Sequence, residues 1–522
     1  MTNRARAEAA QITHRQVQLV FLGLMLGLLL AALDGTIVST ALPTIVGDLG
    51  GIDHLSWVVT AYLVTSTVAM PLFGKLSDLY GRKVCFQTAI ASFLVASALA
   101  GLSRNMGQLI AFRALQGIGG GGILSLSFAI VGDIVSPRER GRYQGYTTSV
   151  FAVSSVIGPL LGGFFVDQAS WRWIFYINIP VGLVGLAVVQ AVLNLPRRRS
   201  TQSIDFVGAA LLVAGVTSLL LVTVWGGSEF AWSSPVIAGL IVSGVALLLG
   251  FCLWERHASD PILPLRLFRN PTFRVTLTAG FMLGLAMFGA IVFLPVYMQV
   301  VRGQGATSSG LLLLPFMGGI LVAATGSGQV ISRLGRYKAF PVTGMAFMGV
   351  GFFLLSTMDT TTPRVSYSAF MFVAGFGVGL CMPVLVLAVQ NAVEHRDLGT
   401  ATSALTFFRS MGAAFGVAVL GALFNSRLSD LLAAIPRSSL EGIPAASLKA
   451  SPATIRALPE QVRSSVVAAY ADAISTVFLV AVPVCALAFF VLVRLRETPL
   501  RDTAHVGFEG GEMVRLAATD DA

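Results

Sequence analysis

Charge is what this chain has least of. Only 11% of its 522 residues are Asp, Glu, Lys or Arg, against about 25% in an ordinary soluble protein. No polar stretch is long enough to fold around a core of its own. The longest, about 425–472, is interrupted by Pro436, Pro444, Pro452 and Pro459 and reads as a loop with short surface helices. Cysteine is scarce as well. Cys85, Cys252, Cys381 and Cys485 offer neither a metal-ligand spacing nor an obvious disulfide. The five histidines, His14, His54, His257, His395 and His505, fall in loops or tails, whereas a zinc or di-iron membrane enzyme needs them gathered on helices. No G-x-x-x-x-G-K-[ST] loop is present to cradle a nucleotide. No metal site and no cofactor are therefore expected, and a membrane enzyme or receptor built on clustered His, Asp or Glu is disfavoured.

Apolar sequence is abundant. Hydrophobic residues make up 55% of the chain, and its 55 glycines fit membrane helices packed at close range. A span needs about 20 mostly apolar residues. Fourteen stretches meet that measure, near 17–44, 56–74, 84–102, 107–133, 144–166, 172–194, 206–226, 235–254, 273–300, 309–331, 339–358, 365–390, 400–424 and 473–494. The expected fold class is an all-α polytopic membrane protein. The first stretch is too long for a cleaved signal peptide and leads straight into the second.

Basic residues orient the spans. With the N-terminus placed inside, 24 of the 35 Lys and Arg fall in inner segments, among them Arg197, Arg198 and Arg199. The short outer loops hold only Arg104, Arg172, Arg302 and Arg364. The positive-inside rule then puts both termini in the cytoplasm of a multi-pass plasma-membrane protein. The net charge of +10 belongs to the inner membrane surface, so lipid and not nucleic acid is the expected surface partner.

The chain repeats itself. GKLSDLYGRK (Gly74–Lys83) and GQVISRLGRY (Gly328–Tyr337) share Gly and Gly-Arg at an offset of 254. Gly117, Gly119, Gly121, Arg138 and Gly141 recur as Gly375, Gly377, Gly379, Arg396 and Gly399 at an offset of 258, as do Gly158 and Gly163 in Gly416 and Gly421. Spans 1–6 thus match spans 9–14. The expected organisation is a cytoplasmic tail at 1–16, a six-helix half at 17–200, two inserted helices at 201–258 and a cytoplasmic linker at 259–272. A second six-helix half follows at 273–496, with the outer loop 425–472, and then a tail at 497–522. Parallel six-span halves are a transporter architecture with its substrate site between them near the midplane.

Charges inside the spans are the chemistry candidates. Asp34 lies in LAALDGTIVSTALPTI within the first span. An acidic group at a helix centre costs about 2.5–3.5 kcal/mol on insertion scales, so such a residue pairs, faces water or handles ions. Arg113 and Arg409 are the basic residues well inside spans. Arg113 either shares a polar pocket with Asp34 or snorkels outward. Arg409 either binds backbone carbonyls or an anionic substrate group. Asp133, just before SPRERGR, is expected in an interfacial charge network with nearby arginines such as Arg138 and Arg142. Asp205 is expected to cap the seventh span. Phe281, Met282, Met287 and Phe288 suit a greasy pocket, but a lipid-facing surface is the favoured reading.

GKLSDLYGRK between the second and third spans resembles the loop signature of the major facilitator superfamily. RALQGIGGGG (Arg113–Gly122) resembles its second motif, and GPLLGG (Gly158–Gly163) the antiporter motif of proton-driven exporters. LDGTIVSTALPTI and WRWIFYINIPVG are similar to segments of the fourteen-span drug:proton antiporters of the EmrB/QacA type. The resemblance implies two six-helix halves plus two inserted helices. It implies a proton-coupled efflux antiporter, not an enzyme, driven by the proton gradient without a cofactor and carrying hydrophobic or amphipathic small molecules. A lipid, a siderophore or a self-made antibiotic is the alternative cargo.

The resemblance also assigns roles. Asp34 and Arg113 would handle the proton. Gly74, Lys75, Asp78, Gly81, Arg82 and Lys83 would form the inner gate, with Asp78 docked on the N-terminus of span 13, where a carboxylate is favoured. Gly158, Pro159, Gly162 and Gly163 would pack span 5 closely against the other half and seal a proton leak. The sequence departs from some family members in having no acidic residue deep in its second half.

Overall fold

The computed structural model describes residues 14–49, 55–193, 205–227, 229–305, 310–436 and 452–500. Most of the expected tails at 1–16 and 497–522, and 437–451 of the expected outer loop, lie outside the described residues. Fourteen helices are long and apolar enough to cross a membrane, and among the described residues there is no strand beyond one isolated bridge, Gly226 to Phe230.

The first half holds α1 (His14–Leu49), α2 (Leu55–Tyr80), α3 (Arg82–Gly101), α4 (Met106–Ile134), α5 (Pro137–Gln168) and α6 (Trp173–Val192). The insert holds α7 (Phe206–Trp225) and α8 (Pro235–Glu255). The second half holds α9 (Pro271–Val301), α10 (Leu314–Leu334), α11 (Ala339–Ser356), α12 (Arg364–Asn391), α13 (Leu398–Ala433) and α14 (Glu460–Val493). An even number of spans returns the chain to the face where α1 begins. That face carries the arginine-rich segments and is called the basic face below.

Small residues set the packing, and they set it alike in both halves. A Cβ on Gly121 of α4 would run into the Ser66 carbonyl of α2, and one on Gly379 of α12 into the Ile320 carbonyl of α10. Gly121 and Gly379 differ by 258, Ser66 and Ile320 by 254, which are the two repeat offsets. The sequence repeat is thus the imprint of one helix crossing made twice.

The halves meet where α2 packs on α13 and α5 on α10, and α7 lies against α2 and α13 beside that seam. The largest apolar core crosses the seam, joining Val64, Val68, Met70 and Phe128 of the first half to Met287, Phe316, Met382 and Phe407 of the second. Met287 belongs to it outright; Phe281, Met282 and Phe288 pack against its edge. Val242, Leu249, Val350 and Phe490 stay exposed on the outer surfaces of α8, α11 and α14, as lipid-facing side chains do.

One sequence expectation needs correction. Among the described residues, the stretch 425–472 is largely helix and not loop. Helix α13 continues to Ala433 and α14 begins at Glu460, so about half of it is helix projecting past the apolar spans. Leu428, Leu432, Val462, Val466 and Tyr470 bury one another there with Ile435 and Ile455. Mean hydropathy falls because only one face of each helix is apolar, but the helical period runs on through both. The short helix Pro452–Arg456 lies in the connection that remains.

Candidate functional site

Asp34 is fully buried, on the side of α1 that faces α3, α4 and α6. Arg113 Nη1 stands 2.5 Å from Asp34 Oδ2, and Arg113 is itself 1% exposed. Gln116 Nε2 donates to Asp34 Oδ1 at 2.8 Å while its Oε1 accepts from Arg113 Nη1 at 2.8 Å. Asn178 Nδ2 adds a longer contact to Oδ1 at 3.3 Å. Ser97 accepts from both Gln116 and Asn178 and donates to the Phe175 carbonyl. The guanidinium is held from its other sides by the Val58 carbonyl, at 3.2 Å from Nε, and by the Tyr62 ring, 4.4 Å from Cζ.

Arg113 does not snorkel, because every one of these partners lies inside the bundle. It is seven residues along α4 from Met106, so the pair lies roughly 10 Å from the end opposite the basic face. Asp34 and Arg113 were legible as lone charges. Gln116, Asn178, Ser97 and Tyr62 were missed. Gln116 had a signal, since a spacing of three from Arg113 shares its helix face. Asn178 lies within the WRWIFYINIPVG segment, but nothing in that segment marks it as a partner of Asp34.

The second constellation lies at the basic face, between the halves. Gly81, at φ 95°, breaks the chain between α2 and α3, a backbone shape that side chains resist. The turn brings Arg82 to Asp78 at 2.6 Å and to Asp133 of α4 at 2.7 Å. Asp78 Oδ2 accepts from the Thr400 backbone N–H at 3.1 Å and from its hydroxyl at 2.9 Å. Thr400 is in the first turn of α13, so the structure places Asp78 on that helix end. A Cβ on Gly74 would strike the Ser403 side chain, and one on Gly399 would strike Asp78 and Arg82. Lys75 is buried nearby, and Lys83 donates to the Gln190 carbonyl of α6 at 2.8 Å.

The seam has a counterpart at α5 and α10. Arg138 donates to the Ser332 and Arg333 carbonyls at 2.9 and 3.2 Å, covering the C-terminal end of α10, where a cation is favoured. Gly328 packs against the backbone of Gly141, and Gly145 against Ala324. Asp133 therefore meets Arg82, while Arg138 reaches across to α10 and Arg142 donates to Tyr146. Arg82, from the α2–α3 turn, is thus a partner of Asp133 from outside its chain neighbourhood.

The GPLLGG helix departs from its expectation. Gly158 packs on Thr36 and Gly162 on Thr40 and Ile37, all on α1 of the same half. The reason is shape: threonines four apart on α1 fill the gaps left by glycines four apart on α5. Only Pro159 faces the other half, 3.9 Å from where a Cβ on Gly310 would sit, and nothing lies within 4 Å of a Cβ on Gly163.

Arg409 is partly exposed, and its Cζ lies 5.8 Å from the Phe128 ring across the seam. Asp205 caps α7 through the Gly208 N–H at 2.8 Å. Among the described residues, no group of three His, Cys, Asp or Glu could hold a metal ion.

Comparison with known proteins agrees with this architecture. Residues 24–417 match the model of the Major Facilitator Superfamily. Multidrug transporter protein MdtP of Bacillus subtilis is 41% identical over 429 residues, covering 82% of this chain and 79% of MdtP. Multidrug resistance protein 3 of the same organism is 36% identical over 497 residues, covering 93% of this chain and 96% of its own. Among solved structures, the proton:xylose symporter XylE bound to 6-bromo-6-deoxy-D-glucose aligns with a TM-score of 0.63 over 93% of this chain and 97% of XylE. At 13% identity, that likeness concerns the fold alone.

Proposed function

The chain belongs to the Major Facilitator Superfamily, whose members are transporters and not enzymes, and on that premise we propose that it is a proton-coupled efflux antiporter for drugs or other amphipathic small molecules. The basic face is cytoplasmic in this reading, and the membrane is the plasma membrane. The two halves rock about the seam to expose a central site to each side in turn.

The observation that carries the reading is the sealed Asp34–Arg113 pair. As a carboxylate, Asp34 has donors on both oxygens: Arg113 on Oδ2, and Gln116 and Asn178 on Oδ1. Oδ1 already has two donors, whereas Oδ2 has one and keeps a lone pair on which a proton can arrive. There it cancels the charge that pairs Arg113, whose guanidinium then leans on Gln116, Val58 and Tyr62. Burial favours the neutral acid and Arg113 favours the ionised one. A small change in the packing of α1 against α4 therefore shifts the balance, and a difference in proton affinity between two states is all that coupling requires.

The route to the seam is short. Thr36, Ile37 and Thr40 follow Asp34 on α1 and receive the glycine face of α5, which carries Gly141 and Gly145 against α10. Each inward proton supplies about 2.3 kcal/mol per 100 mV, enough for roughly a fiftyfold gradient of a neutral substrate at one proton per cycle.

Proteoliposomes with an imposed pH gradient test this. Flux of ethidium, dansylamide and dansylglycine is measured for wild type and Asp34→Asn, with Asp34→Asn/Arg113→Gln as a folded control lacking an unpaired charge. The expected result is gradient-driven flux of at least one probe in wild type and none in either variant. Absence of gradient-driven flux in wild type, or its persistence in Asp34→Asn, overturns the proposal.

A further inference from the structure

Arg409 is a cation in the membrane-spanning part of the second half that the antiport mechanism leaves unused. It lies eleven residues along α13 from Leu398, roughly 16 Å from the basic face. Helical side chains lean toward the helix N-terminus, which for α13 is that face. Its guanidinium accordingly comes to rest over Phe128, a side chain of the opposite half that is 1% exposed. The charge therefore lies between the halves, above the contacts that close the basic face.

The other arginines described near the seam each have polar partners. Arg113 has Asp34, Arg82 has Asp78 and Asp133, and Arg140 donates to the Val135 and Gly132 carbonyls. Among the described residues, Arg409 has no hydrogen bond and no ion pair. The helices packed around it supply no free acid. On α2 the neighbour is Met70, against Ser410; on α9 it is Gly284, against the Arg409 carbonyl. The carboxylates further along α2 and α4, Asp78 and Asp133, are held by Thr400 and Arg82. A charge in a membrane interior normally pairs or lines a water-filled cavity, and Arg409, partly exposed, has only the second option until something binds.

We propose that Arg409 is the recognition group for an acidic cargo: an amphipathic molecule carrying a carboxylate, sulfonate or phosphate on an apolar body. The guanidinium takes the acid through paired N–H donors, a geometry suited to planar oxyanions. Phe128, under the guanidinium, and Met70, against Ser410, belong to the apolar core that crosses the seam and supply apolar side chains for the remainder as the halves part. The inference rests on the efflux reading only in calling the bound anion cargo.

Equilibrium binding to the purified protein in detergent tests it without a proton gradient. The probes are dansylglycine and dansylamide, which share a fluorophore and differ in the carboxylate. Wild type should bind dansylglycine about tenfold tighter or more, the scale of a charge-assisted hydrogen bond. Arg409→Gln should abolish that preference and leave dansylamide within about twofold, whereas Arg409→Lys should keep part of it. Equal affinity of wild type for the two probes, no binding of dansylglycine, or a preference that survives Arg409→Gln overturns the proposal. If Arg409→Gln does not fold, the wild-type comparison and Arg409→Lys decide: a tenfold preference that Lys lowers but retains supports it, and a preference Lys leaves unchanged or wild type lacks overturns it. Loss of gradient-driven flux with the anion preference intact strikes the antiport reading and spares this one.

Discussion

Asp78 Oδ2 accepts both the backbone N–H and the hydroxyl of Thr400, 322 residues further along the chain and in the opposite half. The contact joins two effects. The carboxylate meets the positive end of the α13 helix dipole, and it satisfies a donor that the first turn of a helix leaves without a partner. Its other oxygen is held by Arg82, which in turn holds Asp133 of α4. One side chain thus ties α2 to α13 across the seam at the basic face. Asp78→Ala should leave the protein inserted and folded but lower efflux at least tenfold, measured as dye efflux normalised to surface expression. Full activity in that variant removes the latch from the mechanism.

Gly74 makes a sharper test of the same seam. A Cβ there collides with the Ser403 side chain, and Gly74→Ala should therefore hold the closed basic face apart and depress transport. Ser403 Oγ bonds only the Gly399 carbonyl of its own helix, so Ser403→Gly sacrifices little. The double variant Gly74→Ala/Ser403→Gly should recover a substantial share of the lost flux. If the second substitution makes matters worse, the defect at Gly74 is not this contact.

How far this seam was legible depends on which residue is asked. Gly74 and Gly328, Gly141 and Gly399 could be paired by offset alone, because a close crossing made in both halves demands small residues at matching places. The fourteen spans were legible because hydrocarbon thickness sets a length that composition reveals. The partner of Asp133 was not. Arg82 is 51 residues away, and only the packing of α2 and α3 against α4 brings it to Asp133. Ser97, Gln116 and Asn178 were hidden for another reason. Neutral polar residues in apolar helices often bond their own backbone, as Thr36 and Ser127 do here, so their presence does not by itself announce a site.

Gln116 now has a measurable role. Its amide donates to the ionised form of Asp34 and its oxygen steadies Arg113. Gln116→Leu removes both contacts and leaves Asp34 Oδ1 with the longer Asn178 contact alone. Gradient-driven efflux should fall at least tenfold at unchanged surface expression, on the scale of a hydrogen bond to a charged group worth about 1.5–3 kcal/mol. Efflux at the wild-type level in Gln116→Leu removes Gln116 from proton handling.

The helical extension of α13 and α14 predicts a stability effect separate from transport. Leu428 is 2% exposed among Leu432, Val462, Val466 and Tyr470. Leu428→Ala should destabilise the protein by about 2–5 kcal/mol, the usual cost of a buried Leu truncation. Thermal unfolding followed by tryptophan fluorescence should show the loss, while initial efflux rates well below the transition should stay near wild type. An unchanged transition would mean that the extension does not contribute to the fold.

Asp34 and Arg113 are an ion pair whose two members fail differently. Arginine stays charged in proteins, whereas a carboxylate can take a proton and become neutral. Arg113→Gln therefore leaves an acid that escapes its buried charge by protonation. Asp34→Asn leaves a guanidinium whose partners, the new amide, Gln116, the Val58 carbonyl and the Tyr62 ring, are all neutral, and it cannot discharge. An uncompensated buried charge costs about 3–5 kcal/mol. At neutral pH, Asp34→Asn should thus unfold at a lower temperature than Arg113→Gln, and the double variant should be more stable than Asp34→Asn alone. All three should lack gradient-driven flux. Equal destabilisation by the two single variants would mean that Asp34 does not escape its buried charge in place, and the proton would then have to be carried elsewhere.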